Sequence, residues 1–249
     1  MSEASSGISM LAIIPARGGS KRIPRKNIRL FLDRPVISFA IGAALESGLF
    51  DEVMVSTDDD EIAEVARKYG AAVPFMRSNS NADDMATTAD VLLEVIERYS
   101  AQGRDFDCGA CIYPVTPLLD STTLKESFEM FQKAQADALM PVIRYSHPIQ
   151  RALQINDEGR IRYVNSEHRQ TRTQDLPPRF HDAGQFYYFR VEPFLSGKQL
   201  VMENTLAYEL TENAAQDIDD DNDWKAAEIK YELRRVLDDH RRISFDSEI

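Results

Sequence analysis

The run Ile13-Ile14-Pro15-Ala16-Arg17-Gly18-Gly19-Ser20-Lys21, continuing to Pro24-Arg25-Lys26-Asn27, sets two glycines and five cations directly behind an apolar stretch. Those residue types suit phosphate. Gly18 and Gly19 let backbone N–H groups approach phosphate oxygens with no Cβ in the way. Arg17 can grip two oxygens with its planar fork, and Lys21 and Lys26 add point charges. Pro15 and Pro24 stiffen the loop. The spacing is neither the Gly-x-x-x-x-Gly-Lys-Ser/Thr of a Walker loop nor the G-x-G-x-x-G of a dinucleotide fold. Far along the chain, Asp217 and Asp219 stand two apart, so in extended backbone they share one face. Two such carboxylates form a hard-oxygen site for Mg²⁺ shared with phosphates. Asp220, Asp221 and Asp223 read better as a solvated turn leading into the last helix.

Charge and length agree with a small nucleotide-handling enzyme. The 249 residues fit one α/β domain with a modest elaboration, and 43% hydrophobic content is enough for a proper core. A net charge of −12 argues against a nucleic-acid or anionic-membrane binder. The charge is segregated, with cations clustered at 17–29 and acids clustered at 203–223. No apolar run is long enough to span a bilayer. Met1 to Ser9 reads as a disordered, Ser-rich leader without a secretion signal, which gives a cytoplasmic expectation. Cys108 and Cys111 cannot complete a zinc site by themselves. In a strand their odd separation sends them to opposite faces, as two reduced core thiols.

These residues need a scaffold that places a loop after a strand. Met10–Ile14 reads as a central strand, Pro35–Ser47 as a helix, and Glu52–Ser56 as a strand. Asp58–Tyr69 reads as a helix, Val73–Met76 as a strand, and Thr88–Tyr99 as a helix. Cys108–Tyr113 reads as a strand, with a helix from a cap at Asp120 or Ser121 to about Ala136. This alternation means βαβ units and a mainly parallel sheet flanked by helices. Ligands of such sheets bind at the strands' carboxyl ends, where the basic loop lies. Residues 138–191 hold short β-like runs at Ala138–Arg144, Arg151–Ile155, Arg160–Val164 and Gln185–Val191, read as antiparallel structure. Residues 204–216 are ambiguous. Asp223–His240 reads as a closing helix, with Asn222 as its candidate cap.

The basic loop resembles the signature of the sugar-acid cytidylyltransferases, the family that makes CMP-sialic acids. The resemblance covers residues 10 to about 235. It also rests on Val55-Ser56-Thr57-Asp58-Asp59, Tyr113-Pro114-Val115-Thr116-Pro117 and Thr171-Arg172-Thr173-Gln174-Asp175-Leu176-Pro177. His181-Asp182-Ala183-Gly184-Gln185-Phe186-Tyr187 and Asp217-Ile218-Asp219 complete it. The HDAGQFY run and the Tyr before Pro114 favour the branch acting on pseudaminic acid over the neuraminic one. Two departures stand out: Asp220 follows the acidic pair where the family usually has Thr, and Arg22 stands where sialic acid enzymes often have Gly.

The resemblance implies a Rossmann-like nucleotide-diphospho-sugar transferase fold. It implies that a sugar hydroxyl attacks the α-phosphate of CTP and pyrophosphate leaves, with Mg²⁺ as cofactor. Arg17, Lys21 and Asp219 take the catalytic roles, and Asp217 and Asp219 bind the metal. Pro15, Ala16, Arg17, Gly18, Gly19, Ser20, Lys21, Lys26, Asn27, Arg77, Ala86, Thr87 and Thr88 would contact the nucleotide. Thr87 and Thr88 read equally well as an ordinary helix cap. Tyr113, Arg172, Asp182, Gln185, Phe186 and Tyr187 would form the sugar side, with Arg172 on the sugar carboxylate, while Phe186 suits the core as well. His181 could serve as a base, though position alone does not show it. A homodimer is implied, with an inserted 141–175 segment helping the subunits meet within a single 10–249 domain. The alternatives are the same reaction on another nonulosonic acid, such as N-acetylneuraminic or legionaminic acid, or a non-catalytic CTP-binding protein.

Overall fold

The computed structural model describes residues 7–20, 22–82 and 86–246, with side chains described as far as Leu237. β1 (Met10–Pro15) is buried on both faces. Met10, Ala12 and Ile14 face one helical layer, and Leu11 and Ile13 face the other. After the basic loop come a short hairpin, β2 (Leu30–Phe31) and β3 (Arg34–Pro35), and then α1 (Ile37–Ser47). The α/β core continues with β4 (Glu52–Ser56), α2 (Asp60–Lys68), α3 (Thr88–Ser100), β5 (Cys108–Ile112) and α4 (Ser121–Ala134). β6 (Ala138–Arg144) precedes a separate small hairpin, β7 (Leu153–Ile155) and β8 (Ile161–Tyr163). β9 (Phe180–Asp182), β10 (Phe186–Arg190), α5 (Val191–Gly197), β11 (Thr205–Leu210) and α6 (Asp221–Asp246) complete the chain.

The main sheet runs β11-β6-β10-β5-β1-β4, with β9 also on β6. β4, β1 and β5 are mutually parallel, as are β6 and β11, whereas β9 and β10 run antiparallel to their neighbours. The sheet is mainly parallel, as expected. The 138–191 region is only partly antiparallel, since β6 returns to the parallel direction. β9 and β10 lie in series along the same edge of β6, broken at Ala183-Gly184-Gln185, where Gly184 takes φ +62°. α1, α2 and α4 cover one face of the sheet, and α3 and α5 cover the other. Cys108 and Cys111 are free, buried, and on opposite faces. Gly109 has no substitute: a Cβ there would sit 2.2 Å from the Phe189 ring on β10.

Several elements depart from expectation. Pro35 ends the β2–β3 hairpin rather than starting a helix, and α1 begins two residues later at Ile37. Val73–Met76 forms no strand. Ala72 bonds Val53 and Val55 along the edge of β4, but the next amide due to pair is Pro74, which has no N–H. α4 stops at Ala134, where Gln135 adopts φ +51°. α6 is capped by Asp220 rather than Asn222, through its Oδ1 on the amides of Asn222 and Asp223. β9, β11 and α5 went unforeseen, and the ambiguous 204–216 stretch contains β11. Of the expected leader, residues 1–6 lie outside the described residues, while Ser9 is held by its amide and hydroxyl on Asp107.

A third, smaller core decides the site. Ile23 from the basic loop, Phe31 from β2, Ile218, and Trp224 and Ala227 from α6 are buried together with Val36 and Phe39. Phe31 meets Phe39 edge-on at 5.3 Å and Trp224 at 5.8 Å between ring centroids.

Candidate active site

The basic loop leaves the carboxyl end of β1, between β4 and β5. There the chain has gone one way to β4 and the other way to β5, which opens a crevice. Two acids that follow β4 organise the loop. The Gly18 amide donates to Asp58 Oδ1 at 2.9 Å. Asp59 caps α2 by accepting from the Ile62 amide, and accepts from Arg25 at 2.5 and 3.0 Å. Arg25 itself adopts φ +54°. Gly18 must be glycine because a Cβ would lie 2.7 Å from Asp59 Oδ2, whereas a Cβ on Gly19 would meet nothing within 4 Å. Gly18 therefore serves packing against Asp59, and Gly19 keeps the open approach. Buried Asn27 donates to the Arg17 carbonyl at 2.9 Å and braces the loop from within. Arg77 is buried against the end of β4, donating to Ser56 Oγ and to the Ser56 carbonyl. Burial lowers its pKa, opposed by Asp58 and Glu94. Lys21 lies outside the described residues.

The acidic pair meets this loop. Ile218 is buried in the third core, so Asp217 and Asp219 on either side turn outward together. Lys26 Nζ donates to the Ile218 carbonyl at 2.5 Å and lies 4.0 Å from Asp219 Oδ1. Arg22 reaches Asp219 Oδ2 at 2.7 Å, and Arg29 pairs with Asp221 while stacking over Trp224. Burial, and then the charge of Asp219, raise the pKa of Asp217. A divalent cation relieves that repulsion, so the donor set fits a hard metal ion. Among the described residues no group of three or more His, Cys, Asp or Glu could hold a metal. Asp220 and Asp223 are spent on the helix cap, Asp223 accepting from the amides of Asp219 and Asp220.

Thr87 forms a complete capping box with Asp90 at the start of α3. Thr88 turns instead to Tyr113, with its Oγ1 3.3 Å from the phenol oxygen. The Tyr113 ring meets Tyr187 edge-on at 5.6 Å, and Tyr187 donates to Asp182 Oδ2. Asp182 Oδ1 accepts from the Gly184 amide at 2.8 Å. The other sugar-side expectations scatter. Phe186 is fully buried on the opposite face of the sheet, where its ring meets Tyr188 edge-on. Gln185 is buried and donates back to the carbonyls of Ala183 and Gly184. Arg172 is exposed and paired with Asp175 at 3.1 Å beyond the β7–β8 hairpin. His181 places Nδ1 on the Asp182 carbonyl, and its ring lies tilted against Tyr145. Sequence reasoning gave no role to Asp58, Asp59 or Arg25. The Ser-Thr-Asp-Asp run after β4 was the available signal.

Comparison with known proteins points in one direction. The model of a family described as cytidylyltransferase matches residues 11–236. A pseudaminic acid cytidylyltransferase of Campylobacter jejuni is 41% identical over 223 residues, covering 90% of this chain and 96% of that protein. A CMP-N,N'-diacetyllegionaminic acid synthase of Legionella pneumophila is 30% identical, covering 91% and 97%. In fold, the chain resembles CMP:2-keto-3-deoxy-manno-octonic acid synthetase, solved with CTP. The TM-score is 0.67 at 16% identity, with 91% of this chain and 99% of that chain covered.

Proposed function

The chain belongs to the cytidylyltransferase family, and from that premise we propose that it transfers CMP from CTP to the anomeric hydroxyl of pseudaminic acid, releasing pyrophosphate. The sugar oxygen attacks the α-phosphorus, the bond to the bridging pyrophosphate oxygen breaks, and the hydroxyl proton is lost. One observation carries the reading: Lys26 ties the phosphate-type loop to the carboxylate pair through the Ile218 carbonyl. A phosphate cradle and a cation site are thereby joined at the end of β1.

Arg17, Lys21 and the backbone at Gly19, open to approach, hold the triphosphate and offset charge on the departing pyrophosphate. Bonded Asn27 fixes the loop's shape beneath it, and buried Arg77 braces the end of β4 beside it. Ala86, Thr87 and Thr88 border the nucleoside. Cytidylyltransferases use a divalent metal, and here Asp217 and Asp219 would hold Mg²⁺. Bound there, such an ion would draw charge from the phosphates and lower the pKa of the attacking hydroxyl. Residues 10–249 act as one domain. The β7–β8 arm, which exposes Leu153, Ile155, Ile161 and Val164, packs against a second copy in a homodimer.

Pyrophosphate release with CTP and a panel of nonulosonic acids tests the reading. Pseudaminic acid is expected to turn over fastest. Preference for N-acetylneuraminic or legionaminic acid would move the assignment to that sugar, and CTP binding without release would make the chain a non-catalytic binder. Asp219→Ala is expected to lower kcat by about 10²–10³-fold, and an unchanged rate would remove the metal assignment.

A further inference from the structure

Asp219 meets a cation at each of its carboxylate oxygens. Arg22 reaches Oδ2 at 2.7 Å, and Lys26 Nζ lies 4.0 Å from Oδ1. The two cations are held very differently. Lys26 is fastened: its ammonium donates to the Ile218 carbonyl at 2.5 Å, and its side chain is 23% exposed. Arg22 is 71% exposed and lies on the open side of Asp219, itself 46% exposed. An exposed pair of this kind adds little to stability, so its partners exchange readily. Arg22 belongs to the phosphate-type loop, and Asp219 to the acidic segment far along the chain. The pair therefore joins the two halves of the site at a removable contact.

We infer that Arg22 is a displaceable counterion, which fills the divalent ion's place at Asp219 Oδ2 in the free protein and passes to the triphosphate when nucleotide and metal arrive together. This rests on the function proposed above and adds a residue to its phosphate side. A guanidinium and a divalent ion repel each other and contest the same lone pairs of Oδ2. A metal ion alone must therefore dislodge Arg22 and leave it without an anion. CTP supplies that anion. A phosphate shared with an ion on Asp219 lies next to the carboxylate. A side chain that reaches Asp219 from the phosphate-type loop thus reaches such a phosphate as well. The guanidinium fork suits both partners, since carboxylate and phosphate each present paired oxygens. Metal and CTP then strengthen each other's binding through the exchange of one side chain. Lys26 takes no part in the exchange, because the Ile218 carbonyl keeps it in place.

The test compares the full-length wild type with Arg22→Gln and Arg29→Gln. Arg29 lies in the same loop but pairs with Asp221, so its variant removes an equal charge without touching Asp219. Binding of Mn²⁺ without nucleotide is followed by electron paramagnetic resonance of the free ion at physiological ionic strength. Arg22→Gln is expected to bind Mn²⁺ about fivefold tighter than wild type, and Arg29→Gln to stay within about twofold of it. CTP titrated calorimetrically in EDTA is expected to bind Arg22→Gln about tenfold more weakly. Mn²⁺ affinity unchanged or lowered in Arg22→Gln, or raised equally in Arg29→Gln, would overturn the inference. Unchanged CTP affinity in Arg22→Gln would overturn it too. Wild-type protein inactive on every nonulosonic acid would refute the proposed reaction instead, with both binding measurements still deciding the role of Arg22.

Discussion

Asp59 accepts from both guanidinium nitrogens of Arg25 and from the Ile62 amide, and its side chain blocks any Cβ at Gly18. The Arg25 bond lowers its pKa below the usual 3.8, ahead of the opposing effect of burial. The unfolded chain therefore binds this proton more tightly than the native state does. The stabilisation is complete above the unfolded value and is lost as pH falls through the folded one. Asp59→Asn keeps a capping oxygen but loses the ion pair, and should cost about 1 kcal/mol at pH 7. Thermal unfolding at pH 7 and at acid pH checks the sign. The gap between wild type and variant should shrink once the pH drops below the native value for Asp59, and a constant gap would deny the pair its role. The cysteines behave differently. Burial pushes the Cys108 thiol up to about 11 and raises Cys111 further, which leaves both as inert core groups.

At the level of elements, α3 shows how a capping motif shares a turn with a residue that faces another element. Thr87 and Asp90 satisfy the first amides of the helix, which frees Thr88 to turn toward Tyr113. Thr87→Ala should lower stability by about 1 kcal/mol and raise KM for CTP, as the turn loosens next to the nucleoside. Loss of stability with an unaltered KM would limit Thr87 to the cap. The basic loop depends on its neighbours in the same way. Its curvature comes from Gly18 against Asp59, from Asn27 on the Arg17 carbonyl, and from Ile23 in the core with Trp224. A segment this rich in like charge would otherwise extend. Here carboxylates from two other elements, the turn after β4 and the approach to α6, balance it.

For the whole molecule, the net charge of −12 conceals two opposed patches that the fold sets against each other. They are nearly two hundred residues apart in sequence, and closing so long a loop costs only slightly more entropy than closing a short one. The third core supplies the apolar contact that holds them. An exposed apolar group lies elsewhere, on the β7–β8 hairpin. Ile155 and Ile161 pair across its two strands at 71% and 64% exposure. Replacing both by Glu should convert a dimer to a monomer in size-exclusion chromatography with light scattering, without unfolding the core. A species of unchanged mass would place the subunit contact on another surface. No helix among the described residues is long and apolar enough to cross a membrane.

Local physics made part of this legible from the chain alone. The continuous apolar run of β1, the capping residues at Asp120 and Thr87, the glycine stops and the outward pair around Ile218 all depend on neighbours a few positions away. The parallel core, the phosphate-type loop and the carboxylate pair were therefore readable, as was the family resemblance they carried. What tertiary structure alone decided was long-range. It paired Lys26 with Ile218, set Arg22 on Asp219, buried Phe186 on the far face, and brought Thr88 to Tyr113 and Tyr187 to Asp182. Pro74 ended an expected strand because a missing amide matters only once a partner strand stands beside it. Composition and periodicity name which groups are present on a face. Hydrogen-bond direction and charge pairing depend on which distant face is packed against it.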